Sequence, residues 1–115
     1  MKDFPAAAVL DRDQLRDITL DDAELMREIV NALIDDTARQ IQLLEMAIRE
    51  QDGQRCARLA HYSKGACANV GANAAAAVLK TIEGKAATGD FQQCSASLAA
   101  LIGELDRLRT EAVGV

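Results

Sequence analysis

The sequence predicts an all-α protein: an antiparallel up-and-down four-helix bundle with a short N-terminal helix. Three observations carry this expectation. Alanine supplies 22 of the 115 residues and proline only one, a composition that favours helices. The aromatic residues are just Phe4, Tyr62 and Phe91, and a β-sandwich or barrel needs far more aromatic and β-branched residues. Long stretches with apolar residues at helical spacing are separated by short turns, and short turns between long helices make antiparallel neighbours.

Residues 1–20 read as a lead-in with one short helix over Asp11 to Asp17. Residues 21–115 read as the bundle, the whole being a single domain. The first long helix is predicted to start at Asp21 as N-cap, with Glu24 three residues on at capping-box spacing. Leu25, Ile29 and Leu33 recur with Met26, Val30 and Ile34 beside them, and the pattern runs on through Thr37, Ile41, Leu44 and Ile48. Asp35-Asp36 is expected to bend or break this run, because Asp side chains compete for backbone hydrogen bonds. Gln51-Asp52-Gly53 is a turn that ends it.

The second helix is predicted over Gln54 to Val70, stopped by Gly71, with Asn73 as a new cap. The third runs from Asn73 to Thr88 with Val78, Leu79, Ile82 and Ala86 on one side. Gly84 weakens it by about 1 kcal/mol relative to alanine. Thr88-Gly89-Asp90 is a turn, and Asp90 with Gln93 repeats the capping-box spacing. In the last helix Phe91, Cys94, Leu98, Leu101, Leu105 and Leu108 form the seam of a bundle helix.

Composition excludes several function classes. The net charge of −5 argues against a nucleic-acid binder that works through bulk charge. Apolar stretches such as Ala74 to Leu79 are far shorter than the ~20 residues of a membrane span. The run Phe4 to Leu10 is followed by Asp11, Arg12 and Asp13, which makes a poor signal peptide. Cys56, Cys67 and Cys94 are odd in number and at no metal-ligand spacing, so they read as small buried hydrophobes in a reducing compartment. A cytoplasmic monomer is the expectation, and the initial Met fits a free-standing chain.

The single histidine, His61, does not fit a pure scaffold. On a helical wheel of about 100° per residue, Cys56, Leu59, Ala60, Ser63, Ala66, Cys67 and Val70 fall mostly on the half opposite His61. Its neighbours at three and four residues are Ala57, Arg58, Lys64 and Gly65, with Ala68 one turn further. A lone histidine on a helix is ordinarily a core or solvated residue. The wheel weakens the core reading. The solvated reading leaves Gly65 unexplained, because a helical glycine costs about 1 kcal/mol against alanine. A close approach to the backbone explains it.

The chemistry follows from that placement. Imidazole is a nucleophile in its neutral form, which is well populated near neutral pH. Attack on a phosphoryl group gives a phosphohistidine. Lys64 accompanies the added negative charge and, as an exposed partner worth about 0–1 kcal/mol, tunes rather than creates the reaction. Gly65 and Ala68 leave room for a partner's loop to bring its phosphoryl group in line.

The run Leu59-Ala60-His61-Tyr62-Ser63-Lys64-Gly65-Ala66-Cys67-Ala68-Asn69-Val70-Gly71-Ala72 resembles the signature of histidine-containing phosphotransfer (HPt) domains. That signature is A-H-x-x-K-G, then small residues, a hydrophobe and Gly-Ala. Glu83 and Gly89-Asp90 also sit where members of that family often carry a leucine-glutamate pair and a glycine-aspartate turn, although here Ile82 precedes Glu83. The resemblance covers Asp21 to Leu108. It implies an HPt-like bundle acting as a phosphoryl carrier in a two-component phosphorelay. His61 would be phosphorylated by the aspartyl phosphate of a receiver domain and would pass the group to another receiver. Lys64 would assist the phosphoryl group, and Gly65 would give the receiver access. Asn69 and Gly71-Ala72 would shape the end of the active helix, and Ala57, Arg58, Tyr62 and Ala68 would form the docking surface. The chain would need no cofactor of its own, the divalent metal belonging to the receiver. Tyr62-Ser63 replaces the commoner threonine-leucine pair and Cys67 a smaller residue, which bears on partner choice.

No Walker or Gly-rich nucleotide motif is present, so the chain is not expected to phosphorylate itself from ATP. The alternative is a non-catalytic helical adaptor that docks receivers without transfer. A metal site joining His61 to Cys56 or Cys67 is disfavoured by the wheel. The Phe91 to Leu108 seam is more simply an internal core than a dimerising coiled coil. Asp21-Asp22 and Asp35-Asp36 read as caps and solvated charge, as do Lys80 and Lys85.

Overall fold

The computed structural model describes residues 7–115, so Phe4 and the start of the Phe4 to Leu10 run lie outside the described residues. Five helices follow in order: α1 (Arg12–Ile18), α2 (Ala23–Arg49), α3 (Gly53–Val70), α4 (Asn73–Ala87) and α5 (Phe91–Ala112). No strand occurs among the described residues. The long helices pack as a ring, α2 on α3, α3 on α4, α4 on α5 and α5 on α2. Between them lies one core that includes Val30, Leu44, Leu79, Ile82, Leu101 and Leu108, all almost completely buried. The α5 seam from Cys94 through Leu98, Leu101 and Leu105 to Leu108 points into this core.

Local chemistry sets most boundaries where the sequence places them, with three corrections. The cap of α2 is Asp22, not Asp21: its side chain accepts from the Leu25 N–H at 3.1 Å. Asp21 instead takes a left-handed conformation at φ 64° next to Leu20 at φ 53°, a strain that aspartate tolerates better than most residues. The expected break at Asp35-Asp36 does not occur, and α2 runs unbroken from Ala23 to Arg49. Asp36 has partners other than the backbone: it pairs with Arg39 at 3.2 Å and accepts from Tyr62 at 3.1 Å. Asn73 does not cap α4. The cap residue is Ala72, which offers no side-chain bond, and the Ala8 carbonyl accepts the free Ala74 N–H at 2.8 Å.

That last bond belongs to a strap formed by the N-terminal segment over the α3–α4 corner. Asp11 N–H donates to the Gly71 carbonyl at 2.8 Å. The Gln14 side-chain amide donates to the Ala68 carbonyl at 2.6 Å. Leu10, Leu15 and Thr19 are buried with the core. Gly71 closes α3 at φ 99°, with Ala72 N–H donating to the Cys67 carbonyl and Gly71 N–H to that of Ala68. This is the Schellman pattern, which requires a left-handed residue at this position.

Candidate functional site

Helix α3 positions the site. Asp52 caps its start by accepting from the Arg55 N–H at 3.0 Å, and Gly71 fixes its end. Its inner face buries Cys56, Ala60, Ser63 and Cys67. With that face fixed, His61 projects outward, and its side chain is 69% exposed.

The structure adds a carboxylate to the predicted His–Lys–Gly group. Glu83, from α4, bridges two residues of α3. Its Oε2 lies 2.9 Å from His61 Nδ1, and its Oε1 accepts from Lys64 Nζ at 2.7 Å. The Lys64 ammonium, through its hydrogen bond, holds the Glu83 carboxyl below the ordinary carboxylate range against a smaller opposing effect of desolvation, and His61 adds to the lowering. Glu83 is therefore ionised at neutral pH and can only accept. Nδ1 must then carry the proton of a neutral ring, which leaves the Nε2 lone pair free. Among the described residues Nε2 has no hydrogen-bond partner. The arrangement yields one oriented, solvent-facing nucleophilic nitrogen. In this state the Lys64 ammonium is engaged with Glu83.

Gly65 lies one turn beyond His61, and a Cβ built there would meet nothing within 4 Å. The other predicted residues divide around His61. Arg58 and Tyr62 are exposed on the α2 side, where they line a shallow groove with Leu43 and Leu59. Ala57 is half-buried on the opposite flank, beside Ala86 and Phe91 at the ends of α4 and α5. Ala68 is half-buried, and its carbonyl is held by Gln14. Tyr62 is held by Asp36, whose hydrogen bond raises the phenol above its ordinary pKa.

Cys56 and Cys67 are fully buried on the far side of α3, and burial raises both thiols, Cys56 to about 12. Among the described residues no group of three or more His, Cys, Asp or Glu is placed to hold a metal ion, and no helix is long and apolar enough to cross a membrane.

Glu83 is the site residue that spacing within one helix does not reveal. It is 22 positions from His61, and only the packing of α4 on α3 brings it there. The signal available in the sequence was the resemblance, in which Glu83 sits where HPt domains often carry a leucine-glutamate pair.

Fold and site together define a class: small helical domains built around one exposed histidine on a long helix. The family model of the Hpt domain matches residues 28–111, and the chain belongs to that family, the histidine phosphotransfer proteins of phosphorelays, which are phosphoryl carriers rather than kinases. Among solved structures, the crystal structure of histidine-containing phosphotransfer protein B (HptB) from Pseudomonas aeruginosa PAO1 has the same fold. Its TM-score is 0.85 and its identity 23%, with 94% of each chain covered. Comparison with curated protein sequences gives no match.

Proposed function

We propose that this protein accepts a phosphoryl group on His61 from the aspartyl phosphate of one receiver domain and passes it to the aspartate of another. The observation that carries this reading is the His61 Nδ1–Glu83 hydrogen bond, which leaves Nε2 bare on an exposed face. The Nε2 lone pair attacks phosphorus. The N–P bond forms as the P–O bond to the receiver aspartate breaks, and the aspartate carboxylate leaves. The ring then carries positive charge, which Glu83 offsets while keeping the Nδ1 proton in place. Lys64, one turn away, exchanges its bond to Glu83 for one to a phosphoryl oxygen. Gly65 clears the approach for in-line geometry. The reverse sequence discharges the carrier, so direction is set by the receivers.

In this reading the four long helices alternate up and down, supported by the short turns at Glu50–Asp52, Gly71–Ala72 and Thr88–Asp90. The chain works as a monomer in the cytoplasm without a cofactor, and the receiver brings the divalent metal. Three free, buried cysteines fit a reducing compartment.

The test is labelling with a small phosphoramidate, mass spectrometry, and a chase with receiver domains. Wild-type protein should gain one acid-labile phosphoryl group that moves to a receiver, and His61→Gln should gain none. A folded wild-type protein that stays unlabelled yet binds receivers would replace the carrier with the adaptor.

A further inference from the structure

The corner between α1 and α2 has no part in the chemistry above. Among the described residues seven large hydrophobic side chains are exposed, and three of them, Ile18, Leu20 and Leu25, fall here within eight residues. Leu20 is 91% exposed, yet the turn that carries it is tied down. The Asp21 N–H donates to the Arg16 carbonyl at 2.8 Å, and the Asp22 N–H to that of Thr19 at 3.1 Å. The buried Thr19 hydroxyl donates to the Leu15 carbonyl at 2.7 Å. Leu20 and Asp21 are both left-handed, at φ 53° and 64°, a conformation that costs leucine strain and persists because the surroundings hold it. The turn therefore presents an apolar side chain to solvent in a fixed place. Singly exposed hydrophobics are ordinary, but a cluster with a polar rim has the make-up of an interface core.

The rim gives the sign of the partner. Asp17, Asp21, Asp22 and Glu24 are interleaved with these three side chains, and all four are exposed. None of them forms an ion pair among the described residues. The arginines of α1 are engaged elsewhere, Arg12 with Glu111 and Arg16 with Asp13, and the next cation along α2 is Arg27. Four carboxylates beside one free arginine repel nucleic acid, anionic lipid and the same corner of a second copy, and attract a cationic protein surface. The corner also lies away from the reacting histidine. Leu25 and Asp36 are eleven residues apart on α2, about 16 Å along its axis, and Asp36 is the residue that holds Tyr62 beside His61. A protein can sit at the corner while the His61 face stays open.

We propose that the α1–α2 corner is a second docking site, separate from the His61 face, for a protein with an apolar patch rimmed by cations. Leu20, Ile18 and Leu25 pack on the patch, and Asp17, Asp21 and Glu24 pair with the cations. On the phosphoryl-carrier reading such a site keeps the carrier on one protein while His61 exchanges with another. The docking itself does not depend on that reading.

The probe is a helical peptide with leucines on one face and lysines beside them, titrated into the isotope-labelled full chain and followed by amide NMR shifts. The same peptide with glutamates in place of the lysines is the control. The lysine peptide should shift the amides from Asp17 to Leu25, leave those of His61 and Gly65 in place, and be released by added salt. The glutamate peptide should not bind. Leu20→Asn supplies a residue that accepts the left-handed backbone, and it should weaken binding about tenfold. Leu20→Met should restore most of the affinity. Asp21→Asn combined with Glu24→Gln should weaken binding about fivefold. None of these variants should change the labelling of His61 by phosphoramidate. Equal affinities for wild type and Leu20→Asn overturn the proposal, as do shifts centred on the His61 face or an absence of binding. Loss of His61 labelling in a folded Leu20→Asn also overturns it, because the corner would then not be separate from the reacting face. Phosphatidylglycerol vesicles that bind wild type but not Leu20→Asn would put a membrane at the corner. A dimer in sedimentation that Leu20→Asn dissolves would put a second copy there, and either result overturns the proposal. A wild-type chain that phosphoramidate does not label removes the carrier reading instead, and the docking site then stands or falls on the shifts alone.

Discussion

At the two ends of α3 an added methyl group would strike the chain itself. A Cβ at Gly53 would lie 2.8 Å from the Ala86 carbonyl oxygen, and one at Gly71 would lie 2.9 Å from that of Asp11, at a φ of 99°. On the exposed flanks of α3 and α4 the same methyl would meet nothing: Gly65 and Gly84 have no heavy atom within 4 Å of a built Cβ. The first pair is explained by packing within the molecule. The second pair costs helix stability and gains no internal contact in return. In the proposed function, the open space at Gly65, one turn from His61, is where the receiver approaches.

That contrast can be tested by four alanines. Gly71→Ala should have the largest effect, about 2–4 kcal/mol of destabilisation, since it combines a left-handed backbone with a clash against backbone. Gly53→Ala should cost about 1–3 kcal/mol through its clash alone, and urea unfolding measures both. Gly65→Ala should move the other way, stabilising the free protein by about 0.5–1 kcal/mol while slowing phosphoryl exchange with receivers. Faster or unchanged exchange would mean that Gly65 is not kept for a partner. Gly84→Ala should give a similar gain in stability. Its exchange rate then draws the edge of the docking footprint, with a wild-type rate ending it at Glu83 and a slow one extending it over α4.

Smaller effects probe the interior on which both regions rest. The Ser63 hydroxyl is buried without a hydrogen-bond partner, so Ser63→Ala should be neutral or stabilising by up to about 1 kcal/mol, read from the urea midpoint. Burial, then the neighbouring Cys94, pushes the Cys56 thiol from 9.0 to about 12. The unfolded chain releases this proton first, so the stability tied to Cys56 is full below pH 9 and is lost as pH rises toward about 12. Cys56→Ala should flatten the alkaline limb of an unfolding titration.

Much of this was legible in the sequence, because it depends on near neighbours. Helix spacing placed His61 outside and Cys56, Ala60 and Cys67 inside, and Lys64 and Gly65 followed from their steps along one helix. Asp90 announced a cap that the structure contains, while Asp52, read only as part of a turn, also caps a helix. The misses depend on distant partners. Asp35-Asp36 seemed a break only while Tyr62 was not known to face Asp36. Asn73 seemed a cap only while Ala8 was not known to reach Ala74. Glu83 became part of the site only when α4 lay against α3. Side-chain periodicity carries none of this, because backbone-to-backbone bonds and cross-helix bridges leave no periodic trace.

The N-terminal strap has a kinetic consequence. Its bonds from Asp11 to Gly71 and from Ala74 to Ala8 join segments far apart in sequence, and they need the α3–α4 corner as a preformed receptor. Contacts of that separation carry a large loop-closure cost, so the strap is expected to close after the transition state for folding, and Gln14→Ala should then speed unfolding in stopped-flow while leaving the folding rate unchanged. Interactions made that late act on the rate of opening rather than the rate of assembly. On that expectation the segment ahead of the bundle would be a latch: it would contribute little to how fast the site is built and would set how long the far end of the helix carrying His61 stays shut.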